Sequence, residues 1–430
     1  MKNRLEVARE LLKDDGAIFV QCDDNEQAYL KVLMDDVFGI ENQITTIVVK
    51  SSTPSGLKTT NKDKTLIKTK DYIHFYKKKD LVINPQYIRK NAWDTHYSHI
   101  LNKENNSTES LVERLIEEKI LNVDSTIKDI NICDKKFSEF YKAHLDEIYQ
   151  TQPVMPDEHK KKSRELGNAV YKYSTPTGLN YAINGRRLSF LSESINKLED
   201  GNTDIGILLC DFWNDIDFQN TQNEGGISLP NGKKPERLIM RIINLITTEH
   251  DIVLDFFGGS GTTAAVAHKM NRQFIGIEQM DYGENDSVVR LQNVINGDQS
   301  GISKSVGWNP QNPSLEDSAN GRYNRNNFVY LELKKYNQAF IERIAEADSS
   351  EKLLEIWEQM KEKSFLNYNV DIKTQEENIE DFKQLAEQKQ VLCELLDKNQ
   401  LYVNVSDMND ERFATTEEEK KVTQAFYSNL

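Results

Sequence analysis

The stretch DIVLDFFGGSGTTAAVAHKMN (251–271) constrains the fold more than any other part of the chain. An apolar run enters a turn holding Gly258, Gly259 and Gly261, and a helix of small residues leaves it. Glycine supplies positive φ and lets backbone approach closely, so such a turn joins a buried strand to a helix whose first N–H groups face a ligand. QFIGIEQ (273–279) follows as a second strand, which completes a βαβ unit and predicts an α/β sheet.

The turn alone leaves the ligand open. A P-loop needs a lysine before the Ser or Thr that follows its second glycine; here Gly261 runs straight into Thr262 and Thr263, and that reading fails. Gly259, Gly261 and Ala264 fit the dinucleotide pattern GxGxxG/A, and Glu278, nineteen residues beyond Gly259, ends the next strand, where an acid grips ribose hydroxyls. S-adenosylmethionine sites use the same geometry. On spacing, a nicotinamide-dependent oxidoreductase, an S-adenosylmethionine enzyme and a purely structural turn all stand.

Upstream, residues 2–13 have the period of a helix with Leu5, Ala8, Leu11 and Leu12 on one face. AIFVQCDD (17–24) is expected as a short buried strand, NEQAYLKVLMDDVFG (25–39) as a helix stopped by Gly39, and QITTIVVK and DYIHFYKK as strands. KPERLIMRIINLI (234–246) is expected as a helix with Pro235 in its first turn and Leu238, Ile239, Ile242, Ile243 and Ile246 inward. Between these blocks, residues 81–205 are polar with interspersed aromatics and no clean period, as an inserted module would be. Beyond about 300 the chain turns acidic and mostly helical.

The net charge of −15 is unevenly placed. Residues 50–90 carry eleven Lys or Arg against three Asp, whereas residues 331–430 carry thirteen basic against twenty-two acidic side chains. Phosphate contacts depend on local patches because salt screens charge beyond ~8–10 Å, so overall acidity leaves DNA binding open. No apolar run reaches the ~20 residues of a membrane span, and the N-terminus lacks the apolar core of a signal peptide. Four scattered cysteines without a CxxC pair suggest reduced thiols, no metal site and a cytoplasmic protein.

Asp255-Phe256-Phe257 before the glycines, with Ser260, Thr262 and Thr263 after them, resembles the cofactor motif of amino-group DNA methyltransferases, usually Asp-Pro-Phe-x-Gly-Ser-Gly-Thr. GKKPERLIMRII resembles the Lys-Pro-led helix that precedes this motif in the permuted β class. Together with MKNRLEVARELLKDDGAIFVQCDD and NFVYLELKKYNQAFIERI, these segments are similar to the modification subunit of type III restriction–modification systems over nearly the whole chain. The resemblance implies an adenine-N6 DNA methyltransferase with a Rossmann-like, S-adenosylmethionine-dependent sheet. Asp255, Phe257, Gly258, Gly259, Ser260, Gly261 and Thr262 would surround the methionine part and adenosine, Glu278 would take the ribose, and Lys234 with Pro235 would shape the carboxylate end. Its organisation would be a first methyltransferase part (1–80), a target-recognition insert (81–205), a cofactor-binding part (206–300) and a helical assembly region (301–430). Lys58, Lys62, Lys64 and Lys68 would touch duplex DNA. The implied partners are a second modification subunit and a helicase–nuclease restriction subunit, with no membrane.

Such enzymes carry a second signature, Asp/Asn/Ser-Pro-Pro-aromatic, which accepts the protons of the target amine and stacks on the flipped base. None of the nine prolines here adjoins another, so the chain holds no catalytic residues of that kind. In β-class order the signature ends a central strand upstream of the first helix, between the strands DIVLDFF and AIFVQCDD. Its absence is expected to leave two inner strand edges unpaired. A start internal to a longer or interrupted gene is the favoured account; a separate chain supplying the strand, or a non-catalytic DNA-binding and assembly subunit, are the others.

Overall fold

Apolar side chains one helix turn apart decide where the chain begins to pack. In the computed structural model, α1 (Lys2–Leu11) buries Leu5 and Ala8 against α2 (Gln27–Phe38), which contributes Leu30, Met34, Val37 and Phe38. Leu11, expected inward, is 67% exposed at the end of the helix, whereas Leu12, also expected inward, packs on the cluster as the extended cap residue. Gly39 stops α2 with φ of +90°. The structure describes residues 1–54, 60, 63–176, 178–229, 232–309, 327–367, 384–397, 401–403 and 405–428. The chain divides into two compact units, Met1–Phe328 and Val329–Leu430.

In the first unit the β-branched segments form strands where expected. β1 (Ala17–Cys22), β2 (Gln43–Lys50) and β3 (Lys70–Lys77) pair antiparallel in the order β1-β3-β2, with Ile18 opposite Tyr76 and Ile47 opposite Ile73. The aromatic-rich middle of the chain then builds its own layers. β4 (Tyr87–Arg89) and β12 (Thr203–Leu208), at its entrance and exit, lie side by side with β11 (Ile195–Lys197). Within, β5 (His99–Asn102), β6 (Ser107–Ser110), β7 (Ile148–Gln152), β8 (Tyr171–Thr175), β9 (Gly178–Ile183) and β10 (Arg186–Phe190) form a six-stranded antiparallel sheet. Helices α3 (Leu111–Glu117) and α4 (Lys135–Ala143) close one core with Trp93, Tyr97, Phe137 and Tyr141, while α5 (Asp157–Glu165) packs on the β8–β9 hairpin. Its strands are three to six residues long, too short for a period to show in the sequence.

The chain returns through β13 (Phe212–Trp213), which adds to β2 in parallel, and enters α6 (Glu236–Ile246). Pro235 stands one residue before α6, as its N-cap, rather than in the first turn. The predicted βαβ unit is present: β14 (Ile252–Asp255) and β15 (Gln273–Gly276) pair in parallel across α7 (Thr262–Lys269), and α8 (Ser287–Ile295) packs on α7. Val266, Ala267 and Met270 meet Met240, Ile243 and Ile302 beneath them; burying a valine, isoleucine or methionine side chain in full contributes ~1.5–3 kcal/mol, and the single methyl of Ala267 less.

The sheet is in two pieces. Its strand orders are β1-β3-β2-β13 and, separately, β14-β15, so among the described residues β1 and β14 each hydrogen-bond to a single strand. Ile252 and Ile275, on strands that a continuous sheet would bury, are each more than half exposed. Helix α1 and the turn after it bridge the pieces: Phe256 joins the hydrophobic cluster of α1, the Arg4 guanidinium lies 5.2 Å over the Phe257 ring, and Lys13, just past the helix, places its Nζ 3.8 Å from Asp251.

In the second unit, α9 (Asn337–Glu346), α10 (Ser350–Lys363) and α11 (Leu385–Leu395) surround Ile344, Trp357, Met360 and Leu392; α12 (Glu417–Ser428) follows. Ser349 caps α10 by accepting the Lys352 N–H. Among the described residues no helix is long and apolar enough to cross a membrane.

Candidate functional site

The glycine turn is tied down at both ends by the acid that precedes it. Asp255 Oδ1 accepts the Phe257 N–H at 3.0 Å and Oδ2 accepts the Thr263 hydroxyl at 2.6 Å, which joins the end of β14 to the first turn of α7. Gly259 and Gly261 take φ of +51° and +69°. A Cβ on Gly261, the N-cap of α7, would stand 2.6 Å from Ser287 Cβ, so this position admits only glycine without a shift of α8. The chain folds this way because the left-handed conformation that turns it from strand to helix is open to glycine at no steric cost.

Glu278, just beyond β15, reaches the turn. Its Oε2 accepts the Gly259 N–H at 2.6 Å, and its Oε1 accepts the Gln279 and Met280 N–H groups at 2.8 Å each. An ionised carboxylate offers about four acceptor sites; three are filled, and the remaining one lies on Oε2 beside the glycines. On the other flank stands the segment leading into α6. Lys234 O accepts the Thr262 hydroxyl at 3.3 Å, while Lys234 Nζ lies 4.0 Å from Asp71 Oδ2. Asp71 in turn accepts Gln21 Nε2 and the Ser51 hydroxyl, both at 2.7 Å, so the ends of β1, β2 and β3 adjoin the same mouth. Cys22, at the tip of β1, has its thiol pushed up to about 11 by burial and then by Asp23 and Asp71, which disfavours its thiolate at neutral pH.

The structure thus gathers Asp255, Gly258, Gly259, Ser260, Gly261, Thr262, Glu278, Lys234 and Pro235 around one turn. Thr262 is buried and its hydroxyl is engaged by protein groups. Phe257 is half exposed beside the turn, whereas its neighbour Phe256 packs inward. Trp213 is core: its Nε1 donates to Cys210 O at 2.6 Å and Arg241 lies over its ring. Asp215 belongs to a network with Arg237, Arg241 and Glu199. Of the basic loop, Lys58 and Lys62 lie outside the described residues; Lys64 is exposed, and Lys68 Nζ is 3.5 Å from Asp24 and from Asn25.

Sequence reasoning missed a buried layer of charge behind the turn. Glu236, Lys269 and Arg290 have fully buried side chains; Lys269 Nζ donates to Glu236 at 2.9 Å and to Asp298 at 3.2 Å, and Arg290 Nη2 donates to Glu236 at 2.8 Å. A signal existed. Lys269 stands seven residues after Thr262 on the buried stripe of α7, where the helical period calls for an apolar side chain. Beside this layer, Lys233 Nζ donates to the carbonyls of Glu224 and Ile227 at 2.6 and 2.7 Å. Burial, then the Arg290 charge, brings Lys233 down to about 8, and burial lifts Glu224 to about 6. Among the described residues no cluster of three or more His, Cys, Asp or Glu could hold a metal ion.

The sequence also matches known proteins. The family model for N6/N4 methyltransferases, described as DNA methylase, matches residues 1–287. The chain is 37% identical over 472 aligned positions to the probable type III restriction-modification enzyme HindVI Mod subunit of Haemophilus influenzae, covering 99% of this chain and 60% of that one. The EcoPI Mod subunit of Escherichia phage P1 is 27% identical over 66% of this chain and 45% of its own length, and the type II methyltransferase M.KpnI of Klebsiella pneumoniae is 27% identical over 62% of each. The chain therefore spans about half to three-fifths of the length of these three curated relatives. It belongs to the N6/N4 DNA methylase family.

Proposed function

We propose that this chain carries the cofactor-binding and DNA-reading parts of an adenine-N6 DNA methyltransferase, the modification subunit of a type III restriction–modification system. The observation that carries the reading is the glycine turn, whose left-handed Gly259 and Gly261 join β14 to α7 with the Glu278 carboxylate held against the Gly259 N–H. S-adenosylmethionine fits the residues present, and it supplies the methyl group. Glu278 would accept a ribose hydroxyl at its open Oε2 site, and the glycine backbone would lie against the adenosine. The N-terminus of α7 and the Lys234 ammonium suit the carboxylate of the methionine part.

The acceptor of the target amine's protons is not among these residues. The divided sheet supports a reading in which a strand ending in Asp-Pro-Pro-aromatic enters between β14 and β1 and pairs both open edges. Duplex DNA would lie across the basic loop and the aromatic-rich layers of residues 81–205. A second modification subunit and a restriction subunit would complete the assembly in the cytoplasm, with the helical second unit offering surface for them.

The test is methyl transfer from labelled S-adenosylmethionine to duplex DNA. The 430-residue chain is expected to be inactive alone and active once a polypeptide carrying the Asp-Pro-Pro-aromatic strand is supplied. Robust transfer by the chain alone would refute this division of labour. Binding of NADH in preference to S-adenosylmethionine would refute the cofactor.

A further inference from the structure

We infer that Arg290 is a positioning residue for the cofactor site, acting through the Thr262 hydroxyl to fix the separation between the glycine turn and the Lys234–Pro235 segment. The inference rests on the S-adenosylmethionine reading above and assigns a task to the buried charges behind the turn.

A threonine hydroxyl has one proton and two lone pairs, and at Thr262 all three are spoken for. It donates to Lys234 O at 3.3 Å, accepts from Arg290 Nη1 at 2.8 Å, and meets Ser260 Oγ at 3.2 Å. One atom therefore joins the entry to α6, the glycine turn and α8. Arg290 is held for that contact from behind. Its Nη2 donates to Glu236 Oε1, and Gly225 lies so close that a Cβ there would stand 2.6 Å from Arg290 Nε. That Nε is buried with no hydrogen-bond partner among the described residues, so the guanidinium sits where Thr262 and Glu236 need it rather than where all its donors are met.

Glu236 is fixed in its turn. It accepts Lys269 Nζ and the Ile302 N–H at 3.1 Å, its own N–H donates to Glu224 at 2.9 Å, and Lys269 also reaches Asp298. The side chains of Arg290 and Lys269 balance Glu236 and Asp298 in charge. Buried ion pairs add little net stability over apolar packing of the same shape; what this set supplies is a fork of fixed geometry, which a lysine's single ammonium could not reproduce.

The experiment is calorimetric titration of the full chain with S-adenosylmethionine and, separately, with 5′-methylthioadenosine, which lacks the amino-acid end. Arg290→Lys keeps the charge and loses the fork; Thr262→Val removes the hydroxyl with little change in volume; Thr262→Ser keeps it. Arg290→Lys and Thr262→Val are expected to weaken S-adenosylmethionine by about tenfold or more, the size of one charge-assisted hydrogen bond, with methylthioadenosine changed less than about twofold. Thr262→Ser is expected to bind both ligands as the parent does. Equal losses for both ligands, or no loss for either, would overturn the inference, and Thr262→Val decides it if Arg290→Lys fails to fold. A parent chain that binds neither ligand would refute the cofactor reading instead.

Discussion

Replacing Gly261 by alanine should destabilise the first unit well beyond what its neighbour Gly259 costs. Both residues have positive φ, so each alanine meets left-handed strain of ~1–2 kcal/mol. Their surroundings differ. The nearest atom to a Cβ on Gly259 is Phe257 O at 3.8 Å, an ordinary contact, whereas a Cβ on Gly261 would lie 2.6 Å from Ser287 Cβ and 2.9 Å from its Cα. Carbon atoms rest ~3.5–4.0 Å apart, so the start of α8 must retreat by roughly 1 Å. That start is pinned, because Asp286 caps α8 through the Val288 and Val289 N–H groups. Overpacking of this kind adds ~1–3 kcal/mol, which gives ~2–5 kcal/mol for Gly261→Ala against ~1–2 for Gly259→Ala. Urea unfolding followed by tryptophan fluorescence measures the difference, and Trp308, buried beside Ala265 and Val294, reports on this corner. Equal destabilisation by the two alanines, without ligand, would refute the claim that crowding at Ser287 selects glycine.

Two further outcomes follow from the charges. Glu224 rises from 4.5 to about 6 in the folded chain, which then binds more protons than the unfolded one between those values. Its contribution is complete below pH 4.5 and fades as pH climbs through 6. Lys233 falls from 10.5 to about 8, so over that interval the unfolded chain binds more protons and stability grows with pH. Glu224→Gln and Lys233→Met should each flatten their own arm of a stability–pH curve, and unchanged arms would contradict the assignments. For the basic loop, neutralising Lys58, Lys62, Lys64 and Lys68 together should weaken DNA binding. The log–log salt dependence should flatten by up to about 0.9 for each DNA phosphate that these lysines no longer neutralise. An unchanged slope would remove the loop from the interface.

The glycine turn and its βαβ unit were legible because they are local: the strand, the turn chemistry and the helix lie within thirty consecutive residues. The βαβ period and the β-branched runs of β2 and β3 come from the same short-range rules. What stayed hidden depends on contacts distant in sequence. Arg290 meets Thr262 across 28 positions and Glu236 across 54, and nothing near any of them announces the pairing. Thr262 shows the limit within the motif itself, since the resemblance names it as a cofactor contact and only the fold reveals that its hydroxyl is engaged by protein. The aromatics of residues 81–205 were visible as a composition and not as an architecture, because short antiparallel strands record little of their partners.

The break between β14 and β1 has a thermodynamic consequence. A strand completing the sheet and a cofactor seated on the turn would both act on β14, so each would alter the other's binding free energy. Linkage makes that effect reciprocal: whatever factor the cofactor adds to the strand's affinity, the strand adds to the cofactor's. On the proposed reading, a favourable coupling at β14 would make the divided sheet hold methyl donor and catalytic strand more firmly together than either alone, and an unfavourable one would make them exclude each other.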